Sequence, residues 1–264
     1  QMDKLNKIMK SDDSLQYKYR DDPNIGVGVL GFVDDTLGLS ECGNTAVVKN
    51  AVINSFIETH RQKMHEDKSF VVHVGSAKKC DHSCPTLKVH DTNMHEAKSA
   101  KYLGNILSST GGVRETIESR RNQGWGKVAG ILGILDTVDM GTHRIEVGLM
   151  LRKAMLTSGL LYSAEAWSAV TDQDIKRLEQ VDAALIKGLV SGHSKTPTIF
   201  HYLETGALPL ENIVASRRIM YHHNIISRDK NELVRRVYEA QKGDPTKGDF
   251  IELVKEDMEN IGEV

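Results

Sequence analysis

Apolar residues recur at every second position near the beginning of the chain. Between residues 25 and 39 this period is held by Ile25, Val27, Val29, Val33, Leu37 and Leu39, and only the centre of the segment is polar. Such alternation is typical of a half-buried β-strand. Two alternating runs around a short polar centre predict a β-hairpin with Asp34 and Asp35 at its turn.

A helix and three further strands are predicted after this hairpin. Asn44 is a favourable N-cap for a helix over roughly 45–65, in which Val48, Val52 and Phe56 fall on one face. The strands are predicted at 69–75, 86–90 and 101–108. The sequence Thr110-Gly111-Gly112 then breaks the pattern.

Helical spacing dominates the rest of the chain. It links Ile117, Gly124, Val128, Ile131 and Leu135, and it recurs over 144–159 and 172–190. Further helices are predicted near 208–228, 230–241 and 247–260. The fold class is therefore α+β: a small mixed half followed by an all-helical half, with the boundary in the 108–112 turn.

Composition narrows the classes of protein. The 264 residues are 39% hydrophobic, which excludes a disordered chain, and no run approaches the ~18 apolar residues of a spanning helix. The net charge of −2 excludes a uniformly basic protein but not local basic patches. Three cysteines and a charged N-terminal segment without a signal peptide predict an intracellular protein, in cytoplasm or nucleus, that does not contact a membrane.

The adjacent carboxylates Asp34 and Asp35 are the sharpest chemical feature. Crowded carboxylates in an apolar hairpin need a cation, and Mg²⁺ takes hard oxygen ligands while keeping positions open for phosphate. Paired metal ions of this kind activate the attacking oxygen and stabilise the leaving oxygen in phosphoryl transfer. The alternative is an exposed turn, in which Asp is simply a favoured residue.

The hairpin sequence GFVDDTLGL resembles the catalytic hairpin of reverse transcriptases of non-LTR (LINE-like) retrotransposons. Further similar segments follow in the same order: HVG, CPTLKVH, KYLGNILSS, ETIESRRNQGWGKVAGIL, LLYSAEAW, DIKRLEQVD, LETGALPLENIVASRRIMYHHNIISRD and GDPTKGDFIELVKEDMENIG. The resemblance covers nearly the whole chain. It implies that the chain is the C-terminal part of such an enzyme. It implies a partial palm at 1–110 (β-hairpin, helix, short antiparallel strands), a helical thumb at 111–228 and a helical post-thumb tail at 229–264.

The resemblance also assigns roles to single residues. Asp34 and Asp35 would bind Mg²⁺, Lys68 would lie near the incoming triphosphate, and Tyr102 and Gly104 would belong to the primer-grip hairpin. The partners implied are an RNA template, a DNA primer and deoxynucleoside triphosphates. For Lys68 a solvated surface position, and for Tyr102 ordinary strand packing, are the alternatives.

Four basic residues on the first thumb helix are expected to face nucleic-acid phosphates: Arg114, Arg120, Arg121 and Lys127. In the same helix, Gly124, Trp125 and Gly126 depart from helix propensity and would let nucleic acid or a neighbouring helix approach closely. The alternative is that these basic residues belong to an ordinary solvated helix face of mixed charge.

A polymerase of this kind also needs segments before the catalytic hairpin, and the residues before Asp34 do not supply them. An earlier metal-binding Asp and a nucleotide-pocket segment are expected, but Asp12, Asp13, Asp21 and Asp22 lie in polar, turn-like sequence. We therefore expect no synthesis by this chain alone.

Two other functions stay open from the sequence. Cys80, Cys84, His90 and His95, with His82 between them, fall at spacings that zinc accepts, although the strand predicted at 86–90 favours scattered loop residues instead. The second possible function is nucleic-acid binding without catalysis, as a relic of the enzyme. It is suggested by residues 60–101, which carry eight Lys and Arg against five Asp and Glu. An Asp-Asp phosphohydrolase would need further ligands at strand ends, and none is apparent.

Overall fold

A computed structural model describes residues 2–22, 25–33, 35–75, 86–138, 141–193 and 195–262. The chain divides into two units, Gln1–Gly111 and Gly112–Val264. The first mixes helices with short strand pairs and the second is helical. The α+β class predicted from the sequence is therefore confirmed.

Two helices and ten short strands form the described part of the first unit. The helices are α1 (Met2–Ser11) and α2 (Gly43–Thr59). The strands are β1 (Tyr17–Lys18), β2 (Gly26–Val27), β3 (Val29–Phe32), β4 (Asp35–Gly38), β5 (Phe70–Val71), β6 (Lys88–Val89), β7 (Thr92–Asn93), β8 (His95–Glu96), β9 (Ser99–Tyr102) and β10 (Asn105–Ser108). The pairs β1–β2, β3–β4, β6–β7 and β9–β10 are antiparallel, whereas β5–β8 is parallel.

The predicted acidic hairpin is formed by β3 and β4. Ile25, Val27 and Val29 are all buried, as their period of two predicts. The pairing of Phe32 with Asp35 leaves only residues 33 and 34 between the strands. The turn is therefore one residue earlier than predicted, and Asp35 begins β4. Asp34 lies outside the described residues.

The helix α2 buries part of the predicted face: Phe56 is buried and Val52 is partly buried against the same cluster, but Val48 is not. Val48 is 52% exposed, and the buried side chains are Lys49, Ile53 and Phe56. The helix also begins earlier, with Cys42 rather than Asn44 at its N-cap. At the start of the buried face Lys49 therefore takes the place expected for Val48, whereas Phe56 is buried as predicted.

Two of the three later strand predictions need correction. The predicted strand at 69–75 is reduced to β5, and the predicted strand at 101–108 overlaps two strands. The chain reverses at Leu103 and Gly104, whose φ angles of 46° and 79° are both left-handed. Two left-handed residues suit a two-residue hairpin turn that follows the twist of the strands.

The second unit consists of eight α-helices within the residues that the structure describes. They are α3 (Arg114–Thr137), α4 (Arg144–Leu151), α5 (Ser158–Leu160), α6 (Asp172–Leu189), α7 (Thr198–Thr205), α8 (Leu210–Ser227), α9 (Leu233–Gly243) and α10 (Phe250–Gly262). All six predicted helical segments are confirmed, and α7 was not predicted.

The core of this unit lies between α3 and α6. Ile117, Ile131 and Leu135 of α3 share one buried cluster with Leu178 and Leu185 of α6. The start of α6 is fixed by a capping box, in which Thr171 and Asp174 bind each other's backbone N–H groups. The apolar residues at helical spacing therefore form the interface between α3 and α6.

A π-helical segment, Arg152–Thr157, joins α4 to α5. Its first residue makes a bidentate ion pair with Asp182 of α6, with both N···O distances 2.7 Å. The Tyr202 hydroxyl donates to the same carboxylate at 2.7 Å. Burial and the Asp182 charge raise the pKa of Tyr202, so the phenol stays a donor.

Within the described residues, no helix combines the length and the apolar character needed to cross a membrane.

Candidate functional site

The tip of the β3–β4 hairpin exposes a carboxylate between apolar side chains. Asp35 is exposed, and its carboxylate makes no hydrogen bond or ion pair with another described residue. Phe32, opposite Asp35 in the ladder, is 61% exposed, and Val33 is 83% exposed. The hairpin therefore presents hard oxygen donors, which Mg²⁺ prefers, on a base fixed by the buried start of β3.

Val33 has an unfavourable backbone conformation at this tip. Its φ angle is 56°, in the left-handed region that β-branched residues rarely adopt. Such a conformation costs about 1–3 kcal/mol and persists where the surrounding structure imposes it, often at functional sites. The strain lies directly before the two aspartates.

The β9–β10 hairpin lies beside the acidic hairpin. The Tyr102 hydroxyl is 3.5 Å from the carbonyl oxygen of Leu30 in β3, within hydrogen-bonding range. Burial raises the pKa of Tyr102, and the negative charge of Asp35 raises it further. The fold thus places Tyr102 close to Asp35, and Gly104 at the left-handed turn next to Tyr102.

Lys68 does not join this group. It ends a short 3₁₀ turn, Glu66–Lys68, and is exposed. No contact with Asp35 is found among the described residues. Its assignment near a triphosphate stays a prediction.

The zinc hypothesis falls largely outside the described residues, because Cys80, His82 and Cys84 lie in the segment 76–85. His90 lies in the β6–β7 turn, where its Nδ1 is 3.9 Å from Glu58 Oε1. His95 lies in β8 and is exposed. In the described ranges, no three His, Cys, Asp or Glu side chains come together as a metal site would need.

The basic residues of α3 differ in what they offer to a partner. Arg114 is exposed. Arg121 is half-buried, 3.5 Å from Glu118, and Lys127 donates to the carbonyl oxygen of Met155 at 3.0 Å. All three side chains are therefore at least partly exposed on the helix.

Arg120 does not fit the phosphate-binding role expected for it. Its side chain is buried, its guanidinium donates to the Tyr162 carbonyl oxygen, and it stacks 5.1 Å from the centre of the Trp167 ring. Burial lowers its pKa. Arg120 therefore stabilises the interior of the helical unit, a role that its basic neighbours in the sequence concealed.

Sequence reasoning missed Lys49, which lies beneath the acidic hairpin. Its exposed fraction is 2%, and its ammonium donates to the carbonyl oxygen of Leu39, directly after β4. Burial lowers the pKa of Lys49 to about 8, partly opposed by the charge of Glu41. The available signal was its spacing from Ile53 and Phe56, which is that of one helix face.

Comparison with protein families, curated proteins and solved structures finds no match to this chain.

Proposed function

We propose that this chain is the distal palm, thumb and following helices of a reverse transcriptase of a non-LTR retrotransposon. In the complete enzyme, the 3′-hydroxyl of a DNA primer attacks the α-phosphate of a deoxynucleoside triphosphate, with RNA as the template. Catalysis of this kind rests on positioning and on electrostatic stabilisation.

One observation gives the main support. The acidic hairpin and the β9–β10 hairpin, about seventy residues apart in sequence, meet through Tyr102 and Leu30. The resemblance assigns one of these hairpins to the catalytic carboxylates and the other to the primer grip. Their contact supports the proposal, because a primer grip must hold the primer strand beside the carboxylates.

The residues have distinct roles in the proposal. Asp34 and Asp35 would hold Mg²⁺, which supplies positive charge for the phosphoryl oxygens. Tyr102 and Gly104 would position the primer strand beside Asp35. Arg114, Arg121 and Lys127 are the basic residues of α3 that would face backbone phosphates; Lys68 and Arg120 are left out of this site.

Iron-directed cleavage tests the metal site in this chain without requiring polymerisation. Fe²⁺ with ascorbate and peroxide produces hydroxyl radicals that cut the backbone beside the bound ion. Cuts are expected around residues 31–38 and 101–104, and excess Mg²⁺ should suppress them. The double variant Asp34→Ala/Asp35→Ala should lose both sets of cuts.

The β6–β7 hairpin provides the matched control. Its two-residue turn also has an exposed aspartate, Asp91, in the second position. Asp91→Ala should leave the cleavage pattern unchanged. If the Asp34→Ala/Asp35→Ala variant is cut like the unmodified chain, the hairpin does not hold the metal and the proposal is wrong.

Binding of an RNA–DNA hybrid tests the rest of the proposal. Fluorescence anisotropy should show affinity that falls steeply with salt, because phosphate contacts release counterions. Primer extension by the isolated chain should yield no product. Hybrid binding without iron cleavage at the hairpin would instead indicate a non-catalytic nucleic-acid-binding protein.

A further inference from the structure

The short helix α7 turns its apolar side chains away from the core. Ile199, Phe200 and Leu203 are between 53% and 71% exposed, whereas His201 and Tyr202 of the same helix are buried. Residues three and four positions apart lie on one side of a helix. Ile199, Phe200 and Leu203 therefore form one exposed surface, which we call the α7 apolar face. An ordinary surface helix has the reverse arrangement, with its apolar side against the core.

The buried side of α7 fixes the helix in this orientation. The Tyr202 hydroxyl donates to the buried carboxylate of Asp182 in α6 at 2.7 Å, and the Tyr202 side chain belongs to the core of the second unit. Rotating the helix to bury its apolar side would break this hydrogen bond, at a cost of about 1–3 kcal/mol for a buried polar group left unpaired. The α7 apolar face therefore stays exposed in a single copy of the chain.

The composition of this face is that of the centre of an interface. Single exposed apolar side chains are ordinary, but contiguous ones mark interaction surfaces. Aromatic side chains are enriched at interface centres and charged ones are depleted there. Phe200, flanked by Ile199 and Leu203, fits this description. The partner must therefore offer an apolar surface of its own.

Opposite charges lie at the two ends of the α7 apolar face. Lys195 comes just before α7, and Glu204 lies near the C-terminal end of the helix. Both are exposed, and neither makes an ion pair with another described residue. Glu204 follows Phe200 by four residues, so it lies on the same side of the helix. Two antiparallel copies of α7 would bring Lys195 of each copy to Glu204 of the other.

The spacing of these charges suits a twofold axis. The midpoint of Lys195 and Glu204 falls between Ile199 and Phe200, at the apolar face itself. A twofold axis through this point joins the two apolar faces and forms both ion pairs in one arrangement, as an isologous dimer requires. A second copy of the chain thus supplies the apolar surface and both complementary charges by symmetry.

We propose that the α7 apolar face binds the same face of a second copy of this chain, in an antiparallel, twofold-symmetric dimer. This inference goes beyond the proposed function and does not depend on the acidic hairpin or on nucleic acid. Three apolar side chains are far fewer than the roughly 20–30 residues that each partner contributes to a standard interface. The expected dimer is therefore weak and dissociates on dilution.

Sedimentation velocity of the full chain, without nucleic acid, tests the dimer over a wide range of protein concentration. The mean sedimentation coefficient should rise from the monomer value towards the dimer value. Leu203→Glu should raise the dissociation constant more than about tenfold, because it places a charge at the centre of the interface. Met220→Glu is the matched control: Met220 is also 71% exposed but belongs to α8, so this variant should associate like the unmodified chain.

A charge exchange tests the antiparallel arrangement. Lys195→Glu and Glu204→Lys should each raise the dissociation constant about fivefold, because like charges then meet at both ends of the interface. The double variant Lys195→Glu/Glu204→Lys should restore the affinity of the unmodified chain. Circular dichroism checks that every variant is folded. A monomer at all concentrations, equal effects of Leu203→Glu and Met220→Glu, or a double variant as weak as the single ones would overturn the proposal.

Discussion

The buried lysine beneath the acidic hairpin predicts a specific pH dependence of stability. Lys49 has a pKa of about 8 in the folded chain, against 10.5 for an ordinary lysine. The unfolded chain therefore binds more protons between pH 8 and 10.5, and the free energy of unfolding rises with pH across that window. Below pH 8 both states are charged, and the folded state bears the full cost of burying the ammonium.

The magnitude follows from the size of the pKa difference. One pKa unit corresponds to about 1.4 kcal/mol, so the displacement represents about 3 kcal/mol. Lys49→Met removes this cost but also removes the hydrogen bond to the Leu39 carbonyl, at about 1 kcal/mol. The net expectation is a first unit about 2 kcal/mol more stable at pH 7, with little remaining slope between pH 8 and 10.

The assay must report on the first unit alone. Both tryptophans, Trp125 and Trp167, lie in the second unit, so their fluorescence serves as an internal control. Pulse proteolysis in urea, with mass spectrometry of peptides from residues 2–75, gives the free energy of unfolding of the first unit at each pH. Lys68→Met, which removes an exposed lysine, is the matched control and should behave like the unmodified chain.

The difference between variants isolates Lys49 from other groups that titrate at high pH. If Lys49→Met shows the same slope as the unmodified chain between pH 8 and 10, Lys49 is not the group responsible. A loss of stability at pH 7 would likewise refute the reasoning, because it would show that the ammonium contributes more than its burial costs.

Two further predictions concern the helical unit. A Cβ at Gly124 would lie 2.9 Å from both Leu160 and Val181, whereas at Gly126 it would meet nothing within 4 Å. Gly126→Ala should therefore stabilise the unit by about 1 kcal/mol, and Gly124→Ala should destabilise it by about 1–2 kcal/mol, in urea unfolding followed by circular dichroism; equal effects would contradict the packing. Asp182→Ala leaves the buried Arg152 without its partner and should cost about 3–5 kcal/mol, read as a lower midpoint of thermal unfolding; a change below about 1 kcal/mol would show that the pair is solvated.

Periodicity predicted the elements better than the contacts that hold them together. The period of two at Ile25, Val27 and Val29 has one physical meaning, because alternate side chains of a strand point to opposite faces. The helical spacing of Ile117 and Leu135 is equally direct. These burial patterns follow from the local geometry of strands and helices, so they can be predicted from the sequence alone.

Lys49 shows where pattern reasoning fails. Apolar residues are expected inside, so Val48 was placed on the buried face of α2 and Lys49 was left out. The structure reverses the two, because the Leu39 carbonyl accepts a hydrogen bond from the ammonium. That acceptor comes from a neighbouring segment, and helix periodicity carries no information about it.

The hairpin at 99–108 was predicted as a single strand, 101–108, for a local reason. Leu103 adopts a left-handed conformation, which leucine disfavours, so the sequence gives no turn signal at that residue. Gly104 alone marks the turn, and an isolated glycine also occurs inside strands. The contact between Tyr102 and Leu30 depends on this reversal, so it too was beyond pattern reasoning.

Val33 connects these observations to the candidate site. Among described residues other than glycine with positive φ, Val33 is the β-branched one, and its side chain is 83% exposed. Neither backbone preference nor burial favours valine there, since Asn or Gly would relieve the strain and no core would be lost. Natural sequences break local rules mainly where function imposes another requirement. Val33 directly precedes Asp34 and Asp35 in the hairpin that resembles the catalytic one. The stability of the fold does not explain a valine at this position, so we infer that it is kept for function.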